Sequence, residues 1–222
     1  MLAAAAPLAQ LLLDLAADGG SARRQAAVYG VGASAKALGP HFEPVRNTAV
    51  ASLLRAMGAR AASTAAAPES SSDDDGDGFD ADPGDAAGVA DNAAAALAKV
   101  LEGASSQIAA PAWALWVQYL PLLTDADEAA TCLETLCAKA TVVAPVSLVV
   151  PCLGRCAVAL AAGRGTTARP RPCDAPRDPA RALAALKSAL LGLQRGPAEE
   201  LGRVWGALEP DAQRALQAAA TS

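Results

Sequence analysis

Aromatic side chains are scarce in this chain: three Trp, two Tyr and two Phe in 222 residues. Other strand formers, Val and Ile, are also few beside Ala and Leu. The sequence is 53% hydrophobic, but alanine supplies much of that. Such a composition favours helices over pleated sheet. The expected fold class is all-α, with thin interhelical cores in which small side chains let helices approach closely.

Histidine is nearly absent. His41 is the single one, and it sits beside Pro40 with Glu43 as its nearest acid. That excludes a Ser-His-Asp set and leaves no histidine-rich zinc site. Five cysteines are present, an odd number, with no short stapled framework. Cys132 and Cys137 lie in apolar helical sequence, and Cys152 and Cys156 stand four apart on one helical face. Buried free thiols in a reducing compartment, cytosol or nucleus, are expected.

Long apolar runs are missing too. The opening "MLAAAAPLAQLLLDLAADGG" has no basic start, and Asp14 interrupts it, so a signal peptide is not expected. Leu8, Leu11, Leu12 and Leu15 follow the spacing of an amphipathic helix. No run reaches the roughly 20 residues of a membrane span, and a soluble protein is expected.

Positive charge is missing from one region. Residues 61–98 hold no Lys or Arg but nine acids: Glu69, Asp73, Asp74, Asp75, Asp77, Asp80, Asp82, Asp85 and Asp91. That window carries −9 while the whole chain carries −5, so the remainder is net positive. Within it, Asp73, Asp75, Asp77 and Gly78 spell the opening of an EF-hand loop. The loop fails at its twelfth position, where a bidentate Glu is required and Gly84 stands. Asp80 occupies the apolar eighth position, and Pro83 is expected to block an exiting helix. A solvated acidic loop, or one that contacts a basic partner, is the expectation; no metal is.

Helical segments are expected over 2–17, 21–38, 42–59, 86–101, 111–120, 125–140, 146–162, 181–194, 198–207 and 211–220. Ser21 and Thr124 are expected N-caps, Pro111 a helix start, and Gly39-Pro40 a helix end. Asp125, Asp127 and Glu128 are first-turn acids favoured by the helix dipole, not a catalytic pair. Helix pairs at a period of about 40 residues are the signature of HEAT or armadillo arrays. Each pair buries its stripe by stacking on the next, giving a solenoid. The organisation expected is HEAT repeats over 1–59 (a first helix plus one pair), an acidic disordered insertion over 60–85, two repeats over 86–162, an Arg/Pro-rich linker over 163–179 and C-terminal helices over 180–222. By helix parity both insertions leave inner helices and emerge on one rim.

Gly30 and Gly32 in "YGVGASAKALG" lack the preceding strand and G-K-(S/T) ending of a nucleotide loop. Close helix packing is the expected reason for them. Trp113, Trp116 and Tyr119 recur at helical spacings of three. They fill a core, or they line a groove for an apolar partner segment; Trp113 is expected to fall outside the core stripe. Arg164, Arg169, Arg171 and Arg177 lack interleaved aromatics, so a flexible linker is expected over a nucleic-acid surface.

Four runs carry a family resemblance. "ARRQAAVYGVGASAKALGPHFEP", "DNAAAALAKVL", "WVQYLPLLTDADEAATCLETLC" and the tail "RVWGALEPDAQRALQAAATS" resemble, in order and spacing, the C-terminal HEAT repeats of importin-β-type (karyopherin-β) nuclear transport receptors of the karyopherin beta-3 class. The resemblance implies a right-handed superhelix of antiparallel helix pairs. It implies a non-catalytic, cofactor-free role in nuclear protein import, in cytoplasm and nucleus. Cargo with basic or extended segments would be the partner. Nucleoporins and Ran would engage N-terminal repeats that this chain lacks, and neither nucleic acid nor membrane is implied. The candidate partner-binding residues are Trp113, Trp116, Tyr119, Asp73, Asp74, Asp75 and Asp77. The alternative from another class is a small HEAT-repeat scaffold that holds a complex together without transport.

Overall fold

A computed structural model describes residues 5–18, 20–65, 83–122, 124–139, 142, 144–165, 179–196 and 198–221. Among these every regular element is helical. They are α1 (Ala5–Asp18), α2 (Ser21–Leu38), a 3₁₀ turn (Gly39–Phe42), α3 (Glu43–Ala65), α4 (Pro83–Leu101), α5 (Ser106–Tyr119), α6 (Ala126–Lys139), α7 (Val146–Gly165), α8 (Pro179–Leu193), α9 (Ala198–Gly206) and α10 (Pro210–Thr221). The all-α expectation holds. The helices divide into two compact units, Met1–Gly103 and Ala104–Ser222.

Several boundaries differ from expectation for local reasons. Helix α3 runs on to Ala65, because "ARAASTA" is good helix sequence. Helix α4 starts at Pro83, whose missing N–H costs nothing at a first helical position. The expected insertion over 60–85 therefore gives up residues at both ends to helix, and Pro83 opens a helix instead of blocking one. Helix α5 begins well before Pro111. Ser105 holds an extended backbone, and its carbonyl accepts from the N–H groups of Ile108 and Ala109. Pro111 lies inside the helix on its exposed face, where solvent can reach the carbonyl it leaves unpaired.

Two caps shift by one residue. Gly20, not Ser21, stands at the N-cap of α2, with no side-chain cap. Asp125, not Thr124, caps α6: its Oδ1 accepts from the Glu128 N–H at 3.0 Å, and its carbonyl from the Ala129 N–H. Glu128 thereby falls at the third helical position, the spacing of a capping box. Gly39 ends α2 as expected, with φ +52, a value that L side chains rarely adopt.

In the first unit α2 lies between α1 and α4, and α3 packs on both α4 and α1. Val28, Val31, Leu97 and Val100 are fully buried between them. Gly32 meets α4 so closely that a Cβ built on it would sit 2.8 Å from the Ala96 Cα. Gly30 faces Leu12 of α1, with a built Cβ 3.1 Å from a leucine methyl. Both glycines serve close helix packing, as their sequence context suggested. In the second unit the neighbours run by twos: α5 on α7, α6 on α8, α7 on α9, and α8 on α10, with α10 also lying along α7.

Gly32→Ala should cost about 1–3 kcal/mol in urea unfolding, because α2 and α4 have no slack at that crossing. Gly58→Ala is the control. Nothing lies within 4 Å of a Cβ there, and it should stabilise by about 0.5–1 kcal/mol.

Candidate functional site

The aromatic candidates do not form an open groove. Trp113 and Trp116 are 6% and 0% exposed. Their ring centroids stand 5.0 Å apart at 81°, an edge-to-face pair. The expectation that Trp113 falls outside the core stripe is therefore corrected: its ring is core. Tyr119, the last residue of α5, is half-buried. Asp73, Asp74, Asp75 and Asp77 lie outside the described residues, as do most of the acidic insertion and of the Arg/Pro linker. Asp91, counted with the acidic window, is fully buried on α4 and engaged by its surroundings, so it adds nothing to an acidic surface.

Helices α3, α5 and α7 carry almost no acid. Glu43 is the one carboxylate in α3, α5 and α7. It accepts from Arg46 Nε at 2.7 Å.

What the structure adds is a pair of arginines, Arg46 buried and Arg155 exposed, that close helix ends. Arg46, 2% exposed on α3, donates through Nη1 to the Val100 carbonyl at 2.6 Å and through Nη2 to the Gly39 carbonyl at 3.1 Å. Its guanidinium also stands 5.6 Å over the Phe42 ring. One fork thus closes the ends of α4 and α2. Its Nη atoms lie 2.8 Å from where a Gly103 Cβ would be, so Gly103 leaves room for the fork. In the second unit Arg155 of α7 donates to the carbonyls of Leu120, Val117 and Gln118 at 3.1–3.2 Å, closing α5.

Two concave features flank α9. One cleft, about 810 Å³, is bounded by Pro151 and Val158 of α7, Arg203 and Val204 of α9, and Ala212 of α10. A second, about 530 Å³, lies between α7, α8, α9 and α10, with Val150, Leu193, Leu201, Trp205, Leu216 and Gln217 in its wall. Its wall carries no charged residue. Both volumes fall within the range of small-molecule or side-chain pockets. Among the described residues no group of His, Cys, Asp and Glu is placed to hold a metal ion, and no helix is long and apolar enough to cross a membrane.

Cys132, Cys137, Cys152 and Cys156 are free thiols, with Cys132, Cys152 and Cys156 buried. Burial first, then the nearby Cys152 and Glu134, push the Cys137 thiol up to about 12. The hydrogen bond with Cys152, then burial, raise Cys156 well above the ordinary thiol value. These are inert, packed thiols rather than nucleophiles.

Set against protein-family models, curated proteins and solved structures, the chain has no match in any of the three.

Two outcomes are expected. Arg46→Met leaves the Val100 and Gly39 carbonyls unclosed and should cost about 2–3 kcal/mol in chemical denaturation. Arg46→Lys keeps the charge but lacks the fork, so it should recover little of that. The second outcome concerns pH. Cys137 titrates near 9.0 when unfolded and near 12 when folded. Its neutral form favours the folded state, so that contribution is full below about pH 9 and is lost as pH rises toward 12. Urea midpoints measured over this window should fall less steeply for Cys137→Ala than for the parent chain.

Proposed function

We propose that this chain is a non-catalytic, cargo-binding segment of a nuclear import receptor of the importin-β type, built as a HEAT solenoid. The observation that carries the reading is the neighbour order. Within each unit helices pack on the helix two ahead, α1 on α3, α2 on α4, α5 on α7 and α6 on α8, beside consecutive packing of α1 on α2 and α3 on α4 and of α10 on α7. Stacked antiparallel pairs require that order, because each helix buries its stripe against the equivalent helix of the next pair. The run "YGVG" and the run "DNAAAALAKVL" also meet, at the contact of Gly32 with Ala96. Two of the four sequence runs that suggest the family thus make one interface, which supports the reading.

The cargo surface in this reading is an apolar one, without a catalytic set. Since Glu43 is the only acid on α3, α5 and α7 and is held by Arg46, attraction for a basic cargo rests on the acidic segment. That segment acts over a distance and is screened by salt.

The test is retention of a basic nuclear-localisation peptide on the immobilised chain at low and high salt. Retention at low salt that falls several-fold at high salt is expected, and Asp73, Asp74, Asp75 and Asp77 changed together to Asn should abolish it. Absence of retention at low salt overturns the reading. A stable, salt-insensitive complex with a non-basic partner in its place would favour a scaffold.

A further inference from the structure

Helix α9 is thinly supported on both flanks. Its main backbone neighbour is α7. One flank opens on the cleft of about 810 Å³ and the other on that of about 530 Å³. Val204 is its buried residue, while Leu201 and Trp205 are half-buried. A Cβ on Gly202 or Gly206 would meet nothing within 4 Å. Its C-terminal end is closed by a neutral amide: Gln213 Nε2 of α10 donates to the Trp205 carbonyl at 2.9 Å and the Leu208 carbonyl at 3.2 Å. By contrast α10 is seated firmly. Leu216 is fully buried, and Ala212 stands so close to α7 that a Gly154 Cβ would lie 2.9 Å from its methyl.

We propose that α9 is a flap. It opens from α7 as one cooperative unit, unwinding between the turn 194–196 and 207–209, while α10 stays in place. Opening joins the two clefts and uncovers the apolar floor of Val150, Leu193 and Leu216. Gln213 is the latch: it binds the flap's end from an element that does not move. Local openings of this kind draw on the least-packed elements of a fold, since they expose little surface compared with global unfolding. The proposal stands whether or not the chain carries nuclear cargo.

Hydrogen exchange of the full chain in rising, sub-denaturing urea tests it. Amides of Ala198–Gly206 should exchange fast, at rates that stay flat as urea rises. Amides of α7 and α10 should instead follow the urea dependence of global unfolding. Gln213→Leu should speed α9 exchange about tenfold, the loss of one net hydrogen bond, without changing α7. Gly202→Ala should slow it about fivefold, by the helix preference of Ala over Gly. The flap is overturned if α9 shares the protection and urea dependence of α7. It is equally overturned if Gln213→Leu leaves α9 unchanged or accelerates α7 and α9 alike.

Discussion

Helix ends in this protein are closed by side chains borrowed from other helices. An α-helix finishes with up to four carbonyls that have no partner within it, at the negative end of its dipole. Arg24 of α2 donates to Ala16 of α1. Arg46 of α3 donates to Gly39 and Val100. Arg155 of α7 takes three carbonyls at the end of α5. A guanidinium suits the task, because its planar fork reaches two acceptors at once and its bonds are charge-assisted. Every such bond ties the end of one helix to a fixed position on another.

That tie matters because the helix faces themselves are smooth. Burying an alanine methyl is worth about 0.8 kcal/mol, against about 1.5–3 kcal/mol for a large aliphatic side chain. Alanine-faced helices compensate by approaching until backbones nearly touch, as at Gly32 with Ala96 and Gly154 with Ala212. Close approach strengthens dispersion but gives few knobs to fix register. The arginine forks supply what the faces lack, since sliding α4 by one residue would withdraw the Val100 carbonyl from Arg46. The same composition explains the clefts. Where a crossing opens slightly, Ala198, Ala212 and Ala220 are too short to fill it, and space remains around α9.

Helical class and approximate helix order were legible in the sequence, because propensity and periodicity are local properties. The glycine pair at Gly30 and Gly32 was legible as packing. Caps were less so. Ser21 and Gly20 are both competent, as are Thr124 and Asp125, and backbone angles decided between neighbours. Pro111 looked like a helix start because its exposed position, which makes it tolerable inside a helix, is not written in its immediate neighbours. Trp113 and Trp116 were legible as a helical pair but not as a fully buried one, since burial depends on what packs above them. The arginines were illegible as caps. Arg46 and Arg155 serve carbonyls 54 and 35 residues away, and a charge in an apolar helix ordinarily reads as a solvated face.

This arrangement divides the work of recognition under the import reading. Arg46 is buried and directed at backbone carbonyls, so its charge is spent inside the fold rather than offered to a partner. The cleft beside α9 carries no charged residue and is mostly apolar, so it acts at contact distance. Charge that acts at long range is concentrated instead in the acidic stretch between α3 and α4. Charge of that kind governs how fast a basic partner arrives, whereas apolar fit governs how slowly it leaves. A basic partner steered by the acidic stretch would therefore associate more slowly as salt rises. A partner held by the acidic stretch alone would dissociate faster as salt rises.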